Sequence, residues 1–390
     1  MTKTVQKSKA RDMTQGSIWK QLLLFSLPLM AGNLFQQLYN TADSIIVGNF
    51  LGSNALAAVG SSGSPIYLLI GFSQGVAVGA GVVVSQYLGA KDKKETRIAV
   101  HTSLAIAAIL GLILTVGGIA VSRSLLVWMN TPEEVLGDAV TYMKLYFGGV
   151  LFSVVYNMAA GILNAAGNSR RSVIYLACAS ITNIILDLVL IAGLKMGVAG
   201  AAIATVVGQF VGAGLGLFLN LKKNPEVQIH LKDIRPHRAT VADIYAIGIP
   251  SIIMQSIGSV MMFGMNKILI SFTEAATAVF GAYFKLQSFI FMPCFGLNNA
   301  MVPIVSYNYG AQKFDRVRKT VRLTVFTAIG IMCVGCALFE LIPETLLGMF
   351  SPTDEMLSIG RVALRIIGVH FPLAGFSIIA GSACQALGKP

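Results

Sequence analysis

Long apolar runs separated by short polar stretches dominate the pattern along the chain. Each run reaches the roughly 20 residues that an α-helix needs to cross a bilayer. The runs are continuous, which disfavours the alternating segments of about 10 residues found in membrane β-barrels. Ten spans are predicted, near residues 18–48, 56–88, 98–121, 139–165, 172–194, 198–221, 243–272, 276–308, 320–341 and 357–387. We therefore expect an all-α polytopic membrane protein.

Prolines lie inside several of these spans and are expected to shape them. Proline lacks a backbone N–H and its ring clashes with the preceding turn, so each one favours a kink. The residues are Pro28, Pro65, Pro250, Pro293, Pro303 and Pro372.

Composition agrees with a membrane protein. The 390 residues are 55% hydrophobic and 12% charged, with a mean hydropathy of +0.73, whereas soluble domains carry about 25% charge. The 40 glycines suit close helix packing in lipid. The five cysteines all fall inside apolar runs, so no disulfide framework is expected.

The net charge of +12 is explained by its placement. Lysine and arginine are concentrated in the N-terminal tail and in the loops after spans 2, 4, 6 and 8, while the alternate loops carry few. By the positive-inside rule, the N-terminus and the basic loops are cytoplasmic. The charge therefore indicates topology, and no nucleic-acid partner is expected. The polar N-terminus leads directly into the first span, so no cleaved signal peptide is expected.

The two parts of the chain resemble each other. "LVWMNTPEEVLGDAVTYMKL" (126–145) resembles "LGMFSPTDEMLSIGRVALRI" (347–366) at an offset of 221 residues, and Pro28 corresponds to Pro250. This predicts two six-helix lobes in parallel orientation. The predicted units are a tail (1–17), a first lobe (18–222), a basic linker (223–242) and a second lobe (243–390). By the offset, we expect the last two helices of the second lobe to be missing.

Few ionisable residues lie inside the spans, and such residues are costly in a bilayer and often functional. They are Asp43, Asp187, Lys267 and Lys285. Counting residues from the predicted span ends places Asp43, Asp187 and Thr205 at similar depths near the outer surface. Asn183 lies one turn from Asp187 on the same helix face. These oxygen-bearing groups could bind a cation or a proton, or they could only hydrogen-bond neighbouring helices.

Enzyme signatures are missing from the sequence. It contains no HExxH, GxSxG or Walker motif, and its four histidines lack metal-ligand spacing. Gly208, Gly212 and Gly216 recur every four residues inside span 6, as expected for helix packing. We therefore expect no enzymatic activity and no cofactor.

Several segments resemble the multidrug and toxic compound extrusion (MATE) transporters, and within them the bacterial DinF-type and MepA-type members. The segments are "LPLMAGNLFQQLYNTADSIIVG", "SQYLGAKDKKE", "NMAAGILNAAGNSR", "NIILD" followed by "GVAGAAIATVVGQ", "GIPSIIMQ" and "VSYNYGAQ". The resemblance extends over essentially the whole chain.

The resemblance implies two pseudo-symmetric six-helix lobes around a central cavity, and antiport of amphipathic, cationic drugs against Na⁺ or H⁺ by alternating access. It implies a coupling site of Asp43, Asn183, Asp187 and Thr205, with a hinge at Pro28. Expected cavity-lining residues are Gln36, Tyr39, Asn157, Gln255, Met262 and Lys285. Gln255 and an acid-free tenth span depart from members with acidic residues in the second lobe. The expected setting is a monomer in the bacterial inner membrane.

Three other functions remain open from the sequence. A flippase for lipid-linked sugars of the same superfamily would need several cationic residues in its cavity, and the spans offer only Lys267 and Lys285. A non-transporting receptor or scaffold would not need Asp43 and Asp187. An intramembrane enzyme would need a catalytic cluster.

Overall fold

The computed structural model describes residues 12–223, 227–350 and 352–389. Within these ranges the chain is helical and contains no strand. Thirteen α-helices are formed there: α1 (Ile18–Leu51), α2 (Ser53–Gly89), α3 (Lys93–Trp128), α4 (Glu133–Gly148), α5 (Val150–Ala165), α6 (Ser169–Asp187), α7 (Gly197–Lys223), α8 (Arg238–Ile270), α9 (Glu274–Gly310), α10 (Phe314–Leu341), α11 (Pro343–Gly348), α12 (Asp354–Gly368) and α13 (Phe371–Ala386). A π-helical turn (Leu188–Gly193) extends α6, and a 3₁₀ turn (Leu231–Asp233) precedes α8.

The prediction of an all-α membrane protein is confirmed. In the described chain, eight helices are long and apolar enough to cross a membrane, and the number rises to ten if each of two bent pairs is one span. The bent pairs are α4 with α5 and α12 with α13, which correspond to the predicted fourth and tenth spans. The predicted span positions match these helices, with the helices extending a few residues further at several ends.

Two sharp bends separate consecutive helices, and one of them lies beside a predicted kink site, Pro372. The α4–α5 pair bends by 48° at Gly149, and the α12–α13 pair by 46° just before Phe371. At the first junction, Gly149 leaves room for Val206 of α7, whose Cγ1 would lie 2.3 Å from a Cβ at this position. Five of the predicted kink sites lie inside helices that run on without a break, namely Pro28, Pro65, Pro250, Pro293 and Pro303. Pro372 lies in the first turn of α13, where its missing N–H costs no helical hydrogen bond.

Side-chain caps fix where several helices begin. The Asp92 carboxylate accepts hydrogen bonds from the backbone N–H groups of Lys94 and Glu95, each at 3.0 Å, and starts α3. Thr273 caps α9 in the same way. Such caps satisfy backbone donors that have no partner within the helix, and they set the loop boundaries between spans.

The sequence repeat recurs in the backbone. Lys91 and Gln312, 221 residues apart, both adopt left-handed conformations, with φ of 59° and 57°. Gly167 and Gly388, at the same offset, have φ of 81° and 73°. A hydrogen bond is repeated as well: Ser85 donates to the Ala165 carbonyl at 3.4 Å, and Ser306 to the Ala386 carbonyl at 3.0 Å. Helices α1–α7, here the first half, and α8–α13, the second half, thus share local structure, while the residue boundaries of the lobes remain a prediction.

Helices α2 and α9 cross tightly where the two halves meet. A Cβ on Gly89 would lie 1.9 Å from the Tyr307 carbonyl oxygen, and a Cβ on Gly310 would lie 2.0 Å from the Gln86 carbonyl oxygen. The two contacts are related by the repeat offset. Only glycine lets the backbones approach this closely, as in tightly packed membrane helices.

Large apolar side chains cover much of the outer surface. On α3, for example, Ile113 and Val116 are 61% and 69% exposed. Apolar surface on this scale requires a nonpolar environment, which the hydrocarbon of a bilayer provides. The chain is therefore a multi-pass membrane protein, whose interior must satisfy its polar groups without bulk water.

Candidate functional site

Two carboxyl groups meet inside the first half. Asp43 lies toward the end of α1 and is 9% exposed, while Asp187 is the last residue of α6 and is fully buried. Their side chains lie within hydrogen-bonding reach of each other if one carries a proton. Oδ1 of each residue has no hydrogen-bond partner among the described residues. Polar atoms buried without a partner are rare and costly, so this pair has unused ligand capacity.

The two neutral residues predicted beside the acids lie with them. Asn183, one turn before Asp187 on α6, donates from Nδ2 to Thr205 Oγ1 of α7 at 3.3 Å. With the amide turned the other way, Nδ2 donates to Asp187 Oδ2 at 3.3 Å, and the amide oxygen accepts from the Thr205 N–H at 3.1 Å. Either orientation links α6 to α7. The structure thus brings Asp43, Asn183, Asp187 and Thr205 to one place, called the acid site below.

A π-helical turn follows Asp187 directly. It spans Leu188–Gly193, and the Leu194 N–H bonds to the Val189 carbonyl, five residues back, at 2.8 Å. Such turns are uncommon and are often found at functional sites. The apolar sequence "LVLIAG" carries no pattern that distinguishes it from an ordinary helix, so this turn was not predicted.

Tyrosines surround the carboxyl pair. Tyr39 of α1 and Tyr142 of α4 lie close enough to interact electrostatically with both acids. Tyr146, one turn after Tyr142, accepts a hydrogen bond from Gln209 of α7 at 3.2 Å. Tyr39 was among the predicted residues, whereas Tyr142, Tyr146 and Gln209 were not. The i, i+4 spacing of the two tyrosines in "TYMKLY", and of Thr205 and Gln209, was the available signal.

A cavity of about 190 Å³ extends from the acid site into the first half. Its walls come from α1, α2, α4, α5, α6 and α7, and amide and hydroxyl side chains are frequent among them. Asn183 and Thr205 lie at one end, and Asn164 and Ser172, hydrogen-bonded to each other at 3.1 Å, lie at the other. The volume is below the 300–1,000 Å³ typical of drug-sized ligands. In this conformation the cavity suits water and small ions.

The predicted cavity-lining residues divide between two places. Gln36, Tyr39 and Asn157 line the cavity. Gln255 contacts Gly71 of α2 instead, its Oε1 lying 3.9 Å from where a Cβ of Gly71 would be. Lys285 of α9 is exposed and lies over the Phe350 ring, 5.7 Å from its centroid. Met262 and Lys267 lie outside the described side chains.

The ligand atoms available at the acid site suit some kinds of ions better than others. Among the described residues, no group of three or more His, Cys, Asp or Glu could hold a metal ion. Neither of the two ion pairs found in the described ranges involves the acid site. Two carboxylates, one amide and one hydroxyl are oxygen ligands suited to a hard monovalent cation or to a shared proton.

Comparisons with known proteins agree with this architecture. The MatE family model matches residues 28–189 and 250–390, so the chain belongs to the MATE family. It is 28% identical over 380 residues to the probable multidrug resistance protein YpnP of Bacillus subtilis, covering 97% of this chain and 85% of that protein. It is also 26% identical to the multidrug export protein MepA of Staphylococcus aureus, covering 95% and 82%.

Solved structures match along nearly the whole chain. One shows a MATE protein in the bent conformation, with a TM-score of 0.92, 27% identity, and coverage of 98% of this chain and 85% of that one. Another shows the outward-facing conformation of a multidrug resistance MATE family transporter of the MOP superfamily, with a TM-score of 0.89, 27% identity, and coverage of 98% and 86%. The expected class is thereby confirmed: the chain is a membrane transporter of the MATE family and not an enzyme.

Proposed function

We propose that the protein is a cation-coupled antiporter that exports amphipathic organic compounds, and that Asp43 and Asp187 bind the coupling ion. The observation that carries the proposal is the buried carboxyl pair without a cationic partner among the described residues. Two adjacent negative charges in an apolar interior repel each other strongly. A proton or Na⁺ between them relieves that repulsion, and its loss restores it.

Helix α1 is suited to convert ion binding into a change of the cavity. Its cavity-lining residues, from Leu29 to Tyr39, all lie between Pro28 and Asp43. The start of α1 is tied to α10, where Arg316 donates to the Gly16 carbonyl at 2.9 Å and to Gln21 Oε1 at 3.2 Å. Its end contacts α6 at the acid site. Pro28 therefore separates two segments of α1. The segment before it is bonded to α10 of the second half, and the segment after it carries Asp43 and contacts the bound ion.

Alternating access follows from these attachments. With the ion bound, Asp43 and Asp187 attract the same charge, and α1 stays against α6. Without the ion, their repulsion favours a different bend at Pro28 and so a different cavity volume. An ion shifts the equilibrium between two conformations only if it binds one of them more tightly. A cation binds more tightly to the conformation in which both carboxylates contact it.

The substrates are proposed to be amphipathic, cationic small molecules, and the proposed unit is a monomer in the bacterial plasma membrane with a cytoplasmic N-terminus. Names such as multidrug export protein among the relatives support the substrate class. The basic loops support the orientation. A flippase for lipid-linked sugars is less well supported, since none of the described residues that line the cavity is lysine or arginine.

The test is efflux of a fluorescent organic cation from proteoliposomes, with Na⁺ and pH gradients imposed separately. Asp187→Asn should abolish gradient-driven efflux while leaving insertion and folding intact. Asp138→Asn, which neutralises an exposed carboxylate on α4, is the matched control and should transport like the wild type. Wild-type efflux by Asp187→Asn would refute the proposed site, and the gradient that drives efflux identifies the ion.

A further inference from the structure

A second cavity, outside the acid site, lies where the linker between the two halves meets the start of α3. Its volume is about 640 Å³. The linker segment, residues 227–237, supplies one wall, and α3 supplies the other. The charged residues of the lining are Lys93, Lys94, Arg97, Asp233 and Arg235.

The linker segment is packed firmly against α3. Val227 and Ile229 are buried, and the His230 backbone N–H donates to Nε2 of the buried His101 at 2.8 Å. Further along, Thr102 Oγ1 donates to the Arg235 carbonyl at 3.4 Å and accepts from the His237 N–H at 3.3 Å. Because the wall is held by backbone and side-chain bonds on both sides, the cavity is part of the fold.

Cationic groups dominate the lining. Four lysine and arginine side chains face one carboxylate, Asp233, which is hydrogen-bonded and ion-paired with Arg97. In the described ranges no ion pair involves Lys93, Lys94 or Arg235. The Asp92 carboxylate caps the α3 backbone. Glu95 and Asp243 are electrostatic neighbours of Tyr87 and do not line the cavity. The cavity therefore holds positive charge without matching acids.

We infer that this cavity binds a phosphate group through Lys93 and Lys94 of α3 and Arg235 of the linker segment. Lysine and arginine are the usual ligands of phosphate oxygens, and three cations around one space match a polyvalent anion better than a single carboxylate. The volume also lies within the range of small-molecule sites.

The phosphate could belong to a membrane lipid or to a soluble compound. Ile98 lines the cavity and is the first apolar residue of α3, so we expect the cavity to lie at headgroup level. A bound phosphate would join α3 to the linker segment and hold the linker against the first half.

The experiment measures binding to the full chain in phosphatidylcholine nanodiscs. In one arm, nanodiscs contain about 30% phosphatidylglycerol, and retained lipid is counted by native mass spectrometry. In the other arm, inorganic phosphate is titrated by calorimetry into protein in pure phosphatidylcholine. Saturable binding in the first arm identifies a lipid headgroup, and binding in the second identifies a soluble phosphate. Binding in neither arm overturns the inference.

A matched pair of variants separates a site from general surface charge. The triple variant Lys93→Gln, Lys94→Gln, Arg235→Gln should weaken binding at least tenfold. The control Lys313→Gln, Arg318→Gln, Lys319→Gln removes the same charge at exposed positions around the start of α10, the repeat counterpart of α3. It should change binding less than threefold. Equal losses in both variants would indicate diffuse attraction to the surface and overturn the site, and gradient-driven efflux checks that both variants are folded.

Discussion

The two halves of the molecule share a repeat but differ in their interiors. The first half contains a polar cavity, and two buried acids lie in the acid site, whose Asn183 and Thr205 line that cavity. In the second half, aromatic rings pack against one another: Phe371 lies 5.3 Å from Phe291 and 4.9 Å from Phe339, measured between ring centroids. The offset that aligns Pro28 with Pro250 aligns Asp43 with Met265. We therefore propose that the first half couples transport to the ion, because this half holds the buried carboxyl pair.

The largest effect on transport is expected when Asp43, the buried acid of α1, loses its charge. Asp43→Asn should lower gradient-driven efflux at least about 100-fold, since a buried charged contact of ~3 kcal/mol corresponds to that factor. Asp43→Glu, which keeps a carboxylate, should retain measurable transport. Initial efflux rates in proteoliposomes provide the measurement. If Asp43→Asn transported normally, the assignment of coupling to the first half would be wrong.

The second effect concerns stability and should separate the two interiors. Phe371→Ala removes a fully buried ring from the aromatic core and should cost ~3–5 kcal/mol. Leu176→Ala, in the wall of the first-half cavity, should cost less than half as much, because this side chain already borders open space. Thermal unfolding midpoints in one detergent compare the two. Equal shifts would mean that the first half is packed as densely as the second.

A smaller effect is expected from the neutral ligand on α7. Thr205→Val removes the hydroxyl that accepts from Asn183 and should weaken the apparent affinity for the coupling ion about threefold to tenfold. Thr205→Ser keeps the hydroxyl and serves as the control. The measurement is the ion concentration that gives half-maximal efflux. An unchanged value for the valine variant would remove Thr205 from the site.

The smallest effect is expected in the second half. Lys285→Gln removes an exposed charge that lies over Phe350, a type of contact worth ~0.5–1 kcal/mol. Efflux should stay within about threefold of the wild type. A tenfold or larger loss of efflux would reveal a charged transport site in the second half. The two interiors would then not differ in the way described above.

Much of the fold could be predicted because length and hydropathy determine it. Ten apolar runs correspond to eight single helices and two bent pairs, and the repeat offset recurs at Lys91 and Gln312. Of the two bends, the α12–α13 bend lies beside Pro372, where a kink was predicted, whereas the α4–α5 bend at Gly149 has no proline and was not predicted.

The depth of the candidate site residues along their spans could be predicted, but the direction of each side chain around its helix could not. Asp43, Asp187 and Thr205 could be placed at one level by counting residues, and the structure brings them together with Asn183. Gln255 contacts Gly71 and Lys285 lies over Phe350, and neither lines the first-half cavity, because the direction of a side chain around its helix depends on packing that one sequence does not reveal. Tyr142 and Tyr146 were missed because aromatic residues in a span are usually packing residues.

Ion movement driven by the substrate tests the central claim most directly. An outward gradient of an organic cation is imposed on proteoliposomes without any ion gradient, and uptake of ²²Na⁺ or of protons is followed. The wild type should show uptake of one of these ions that depends on the organic cation, and the Asp43→Asn, Asp187→Asn double variant should show none while still binding the compound. If the double variant took up the ion as fast as the wild type, ion binding by the carboxyl pair would be contradicted.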